Sequence, residues 1–315
     1  MKARGSVLLG ASVGVCAIAA SLPVLVFGEG RATGGRGLGV APGRIEQVAL
    51  APAPPAPGAA LGRAIDRAQA IIENPASSRR DLAAAGLLEQ LATRVLERAS
   101  GAARRATIWH LGARAAATVR TNLAAAAALS TLVAPRRGLP PWRIVAPPAP
   151  SVLLGYFVAA QARYRVAWQV LAAIEFIETR FGRVRGPSTA GAQGPMQFLP
   201  TTWARYGHGS INDPREAIMA AARYLAANGA PGDMAGALYR YNNSRSYVAA
   251  VEDYASRIRA DSRSYYGYYY WQVIYARVGG AVILPVGYPA RRPVPLDRAA
   301  PALTDAAGPP GVGGG

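Results

Sequence analysis

Few residues in this 315-residue chain are equipped for chemistry. His110 and His208 lie far apart, and neither has a second ligand at metal spacing, which argues against a zinc hydrolase. The single cysteine, Cys16, sits inside an uncharged apolar run, so a Cys–His nucleophile is excluded, and no G-x-S-x-G elbow occurs. Carboxylate chemistry remains. Glu178 stands near the C-terminal end of a predicted helix, where the negative end of the macrodipole disfavours a charged carboxylate. Ile174, Ile177 and Phe181 lie within about one turn, and their desolvation would raise a glutamate toward the range of a general acid, with Arg180 opposing. Taken alone, such a glutamate reads first as a solvated surface residue. Asp213, Asp233 and Asp253 are candidates for a second acid. Each also has a structural reading, as a helix cap, a turn residue and a residue on an exposed helix face.

The elements that must position Glu178 read as helices. Apolar spacing predicts one over 152–180, stopped by Gly182 and Gly186-Pro187. Others follow at 201–206, 214–228, 234–241 and 246–259, the second opened by Asp213 ahead of Pro214. No strand signal falls between 151 and 262, so this segment, the expected catalytic domain, reads as all-α. Beyond it Tyr266, Tyr268, Tyr270, Gln272 and Ile274 alternate with a second set of residues, and Gly279-Gly280 precedes Ala281-Val282-Ile283-Leu284. Period two around a Gly-Gly turn predicts an aromatic β-hairpin within 263–290. The aromatic run 265–275 would form the hairpin core or offer flat rings for stacking on a ligand. Residues 291–315, rich in Pro and Gly, read as a disordered tail.

Upstream, Lys2 and Arg4 precede an uncharged run from 6 to 27, the layout of a signal peptide or a signal anchor within residues 1–30. Export to the cell envelope follows, secreted or membrane-anchored. Residues 31–62 read as a Pro/Gly-rich tether, 63–134 as an Ala-rich helical module without chemistry, and 135–150 as a second Pro-rich linker. The net charge of +18 divides into +11 over 1–150, +4 over 151–262 and +3 over the remainder, so basicity is concentrated outside the segment carrying Glu178. It favours polyanionic partners, whether nucleic acid, anionic lipid or an acidic wall. No helix-turn-helix, zinc-finger or RNP pattern accompanies the scattered arginines, which argues against nucleic acid.

Three separated motifs carry a resemblance. They are Val170-Leu171-Ala172-Ala173-Ile174 ahead of Glu178, the run Gly194-Pro195-Met196-Gln197-Phe198-Leu199-Pro200 with Trp203, and Ala221-Ala222-Arg223-Tyr224-Leu225 followed by Tyr239-Arg240-Tyr241-Asn242-Asn243. From about 151 to 259 the chain resembles the lytic murein transglycosylases, in the lysozyme-like soluble-lytic-transglycosylase domain and its membrane-bound-B-type variant. The resemblance implies a mainly α fold with a lysozyme-like catalytic domain and peptidoglycan glycan strands as substrate. It implies neither a cofactor nor a metal. Glu178 falls on the catalytic acid and base, Ser188 on the carboxylate-orienting serine, Met196 and Gln197 on the sugar cleft, and Tyr241 and Asn242 near the scissile bond. Pro195, in place of a larger apolar residue, and Asn243, in place of His, depart from the pattern and bear on cleft shape. The family's single-carboxylate mechanism closes a 1,6-anhydro ring on MurNAc. A hydrolytic muramidase on the same fold and a catalytically silent wall-binding protein are the alternatives. Trp271-Gln272-Val273 would belong to an accessory piece packed on the catalytic domain.

Overall fold

A computed structural model describes residues 54–296; the expected signal or anchor, Cys16, most of the first linker and the end of the tail lie outside the described residues. Among those described, no helix is long and apolar enough to cross a membrane. The fold is mainly α with small antiparallel sheets.

The first four helices are α1 (Ala59–Glu73), α2 (Arg79–Arg98), α3 (Gly101–Trp109) and α4 (Ala113–Ser130). Helix α1 already begins inside the stretch read as tether. Ser78 and Ser100 cap α2 and α3 by accepting the amides of Asp81 and Ala103, which satisfies donors that a helix start leaves unpaired. After strand β1 (Arg143–Ile144) come α5 (Pro150–Tyr164) and α6 (Trp168–Thr179). The single helix expected over 152–180 is therefore two. Arg165 turns left-handed at φ 58°, and the Gln161 side chain accepts the Trp168 amide at 2.7 Å to start the second. Neither Gly nor Pro marks that break. Strand β2 (Val184–Arg185) pairs antiparallel with β1, so the segment 151–262 is not purely helical. Helices α7 (Pro200–Tyr206), α8 (Pro214–Ala227), α9 (Met234–Tyr241) and α10 (Arg245–Ala260) complete it.

Helix α6 is buried on all sides from Val170 to Thr179, as its nearly unbroken apolar sequence demands. It packs on α5, α8 and α10, and on α11 (Ser264–Tyr269). Residues 264–269, expected as strand, are helix. Tyr265 and Tyr268 meet the rings of Phe181 and Phe176 beneath α6, and the burial of large rings there outweighs their strand preference. The hairpin is confined to β3 (Val273–Arg277) and β4 (Gly280–Leu284), with β5 (Val294–Pro295) added from the stretch read as disordered.

The stretch read as a second linker is tied down. Tyrosine hydroxyls donate to its carbonyls: Tyr288 to Pro140 at 2.7 Å, Tyr269 to Pro148 at 2.9 Å and Tyr265 to Pro150 at 2.8 Å. The first four helices are likewise part of the body. Helix α4 lies along α10, burying Ala125 and Leu129 in the same core as α6, and Asn122 accepts the Tyr268 hydroxyl at 2.6 Å. On α2, Glu89 accepts from Trp271 at 3.1 Å and from Gln69 at 2.7 Å, and Gln69 in turn accepts from Arg257. A chain shortened to start at residue 135 would strip this cover from α10 and α11 and expose a large apolar surface. Such a chain is expected to bind a hydrophobic dye and to lose its single sharp thermal transition. A cooperative transition at the full-length temperature would contradict the arrangement.

Candidate active site

Glu178 occupies the penultimate position of α6, and the helix stops at once beyond it. Arg180, Phe181 and Gly182 take φ of 53°, 59° and 76°, three successive left-handed residues of which two are not glycine. Non-glycine residues in this region cost on the order of 1–3 kcal/mol each and persist only where surroundings enforce them. Here the enforcement is visible. Thr179 donates its hydroxyl to the Pro195 carbonyl at 2.7 Å and accepts the Gly182 amide at 2.9 Å, and Phe181 is sunk among Phe176, Tyr265 and Tyr269.

The Glu178 side chain has no exposed surface, and the Tyr247 hydroxyl donates to its Oε1 at 2.8 Å. Tyr247 comes from the first turn of α10, which Ser244 caps. Burial, followed by the charge of Glu178, pushes the Tyr247 hydroxyl well above its usual range, so the phenol keeps its proton and remains a donor. Its ring stacks on Tyr241, with planes 8° apart and centroids at 6.4 Å. Tyr241 in turn donates to the Met196 carbonyl at 2.6 Å. Glu178, Tyr247, Tyr241 and Met196 thus form one continuous chain of contacts through the core. Asn242 follows Tyr241 directly, nearly buried, with no hydrogen-bond partner for its side-chain amide nitrogen.

Gln197 extends the site beside Met196. Its φ is 50°, its Nε2 donates to the Gly194 carbonyl at 2.9 Å, and its buried Oε1 has no partner. Gly194 is required where it stands: φ is 75° and a Cβ would run into the Ile211 carbonyl. Ser188 accepts the amides of Ala190 and Ala192 at 3.2 and 3.0 Å, closing the loop that leads to this segment.

Arg180, expected to oppose the perturbation of Glu178, lays its guanidinium 4.2 Å from the Phe176 ring centre and donates to that residue's carbonyl. The aspartates are occupied elsewhere. Asp213 and Asp233 cap α8 and α9, and Asp253 lies partly buried on α10. Among the described residues, no three His, Cys, Asp or Glu groups converge as a metal cluster.

Two participants were not foreseen. Tyr247 belongs to a stripe with Val251, Tyr254 and Ile258 that reads simply as core, and nothing in that spacing announces a hydroxyl aimed at a carboxyl 69 residues earlier. Glu175, one turn before Glu178, is fully buried and neither carboxyl oxygen has a hydrogen-bond partner. Burial pushes it up to about 8 against the pull of Arg185. Residues three apart on a helix project from one side, with Cβ atoms about 5–6 Å apart. Glu175 and Glu178 therefore cannot flank a substrate bond from opposite faces.

Residues 155–262, about a third of the chain, match the family model described as Transglycosylase SLT domain, which places a transglycosylase-type domain of lysozyme-like fold on the segment holding every site residue above. No curated protein and no solved structure matches the chain.

The protonation of Glu175 has a measurable consequence. The folded state holds its proton up to about pH 8, whereas an unperturbed glutamate releases it near 4.5. Its contribution to stability is thus complete below the lower value and is lost as pH rises toward the upper one. Glu175→Gln is expected to be more stable than the parent at pH 8, with the difference shrinking toward pH 4.5. Each pKa unit corresponds to about 1.4 kcal/mol. Urea denaturation at pH 5 and pH 8 reads this, and a pH-independent difference would refute it.

Proposed function

We propose that this protein is an exported peptidoglycan lytic transglycosylase, cleaving the β-1,4 bond between MurNAc and GlcNAc with Glu178 as its only acid and base. The observation that carries the reading is the carboxyl of Glu178. It is withdrawn from water and gripped by a phenol that stays protonated, and it lies in the segment matching the transglycosylase domain.

Glu178 begins protonated and gives its proton to the glycosidic oxygen, so the bond from that oxygen to MurNAc C1 breaks and GlcNAc leaves with a hydroxyl. The resulting carboxylate takes the proton of the MurNAc C6 hydroxyl, and O6 bonds to C1. Atoms balance without water, and the substrate's own N-acetyl oxygen steadies C1 in between. Hydrolysis with two carboxyl groups needs them on either side of the bond. The placement of Glu175 on the same side as Glu178, and of Asp213 and Asp233 in helix caps, favours ring closure. Tyr247 holds the carboxyl in place through Oε1. Gln197 and Asn242, each with a buried amide atom free to bond, contact the sugars, Met196 and Tyr241 give the cleft its apolar wall, and Ser188 sets the loop that borders it. Glu178 exposes no surface, so a glycan strand reaches its carboxyl only after the side chains that cover it are displaced. The departures Pro195 and Asn243 tune that cleft. The basic upstream part of the chain adds attraction for the anionic wall or lipid surface, and residues 6–27 are the proposed signal or membrane anchor.

On purified sacculi the parent enzyme is expected to release anhydro-ended muropeptides, and Glu178→Gln to lose turnover by at least about 100-fold, within the range for an acid–base residue. Reducing ends in the product masses would replace the lyase with a muramidase, and an undiminished Glu178→Gln would end both readings. Tyr247→Phe keeps the ring and removes the donor. It is expected to lower kcat by roughly 10-fold with little change in KM, and to move the basic limb of the pH–rate profile upward. An unaltered profile would make Tyr247 a packing residue only.

A further inference from the structure

A second polar feature lies two turns along α10 from the Glu178 contacts, beside Tyr254, where residues of α2 approach Arg180 just past the end of α6. A partly open cavity with about 30 Å³ of room for water-sized groups lies there, lined among others by Gln90, Thr93, Arg94 and Glu97 of α2, by Arg180 and by Tyr254. That volume accommodates one or two groups the size of water, the size class of a monatomic ion. Two guanidinium groups border it, and both belong to nearly buried residues: Arg94 is 7% exposed and Arg180 is 5% exposed.

Arg94 is the unusual member. Its Nε and Nη2 are buried and, among the described residues, have no hydrogen-bond partner, nor does Arg94 make an ion pair within 4.0 Å there. The neighbouring polar groups are committed elsewhere. Gln90 donates to the Gln272 carbonyl at 2.9 Å and accepts the Gln272 amide at 2.8 Å, and the Thr93 hydroxyl donates to the Glu89 carbonyl. Burial lowers the pKa of both arginines, that of Arg180 to about 10 with the charge of Arg94 adding to the effect, yet both remain cations at neutral pH. Glu97 is the nearest compensating carboxyl, and its own desolvation raises it. A buried cation without an acceptor is costly, and an unsatisfied charged donor is among the most expensive groups to enclose.

We infer that the cavity between Arg94 and Arg180 is a binding site for a monatomic anion, of the chloride or bromide class, joining helix α2 to the end of the helix that carries Glu178. The anion accepts from Arg94 Nε and Nη2, offsets the two like charges and suits the small volume. Occupancy strengthens the attachment of the first four helices without entering the proposed glycan cleft. The inference is independent of the proposed catalytic activity.

The test uses the full chain at pH 7, exchanging gluconate for chloride or bromide at constant ionic strength, so that general screening of the basic surface is held fixed. The parent protein is expected to show a saturating rise in Tm of about 3–5 °C at tenfold excess over Kd. Arg94→Met, of similar length and without charge, abolishes that rise, and Arg94→Lys weakens it. Crystals grown in bromide show an anomalous peak between the two guanidinium groups. A response that grows without saturation, or one that persists in Arg94→Met, overturns the site, as does density interpretable only as water. If Arg94→Met does not fold, the anomalous peak or its absence in the parent protein decides the matter.

Discussion

A buried carboxyl that must both give up and take back a proton needs a neighbour that donates a hydrogen bond to it in either state. In this protein that neighbour is Tyr247, and its reliability comes from its own burial, which holds its proton in place. The hydroxyl must arrive from a separate helix, so α10 has to be fixed against α6 to within a hydrogen bond's tolerance. That requirement explains why α6 is enclosed on all sides and why α4 and α11 are packed where they are. Phe176, Tyr254, Tyr268 and Trp271 form the ring-on-ring floor that fixes the spacing between the two helices.

The pieces outside residues 155–262 are structural contributors to the same geometry. Helix α4 lies along the back of α10, and the Thr131 hydroxyl reaches Ser246 at 3.0 Å, next to Tyr247 itself. Glu89, buried and raised by desolvation, joins Gln69 and Trp271, so helices α1 and α2 are connected to the floor under α6 through polar contacts as well as apolar ones. Such buried polar networks favour one arrangement over its near-alternatives because any slip leaves a group unpaired.

Much of this could be read from the chain before any coordinates. The helix carrying Tyr224 has apolar spacing and an explicit cap at Asp213-Pro214, and local chemistry of that kind is visible in a linear text. The mainly α fold was legible in the helical spacing and the motifs. What escaped depended on contacts distant in sequence. Residues 264–269 alternate like a strand but coil into a helix because Phe176 and Phe181 wait beneath them. The prolines of 135–150 read as a tether because nothing nearby reveals the three tyrosines that anchor them from more than 110 residues away. The break at Arg165 carries no breaker residue, and the hydroxyl of Tyr247 looked like one more core ring.

Those distant tyrosines and Trp271 also impose an order of events on the newborn chain. The floor under the Glu178 helix is supplied by residues 265–271, the last large rings before the hairpin, so the segment from 155 to 262 emerges from the ribosome without the surface it must pack against. Contacts of such long sequence separation form late. The core around α6 closes only after residues 265–271 have been made. The closed core around Glu178 is therefore a late product of folding, assembled only when rings from the far end of the described residues arrive beneath α6.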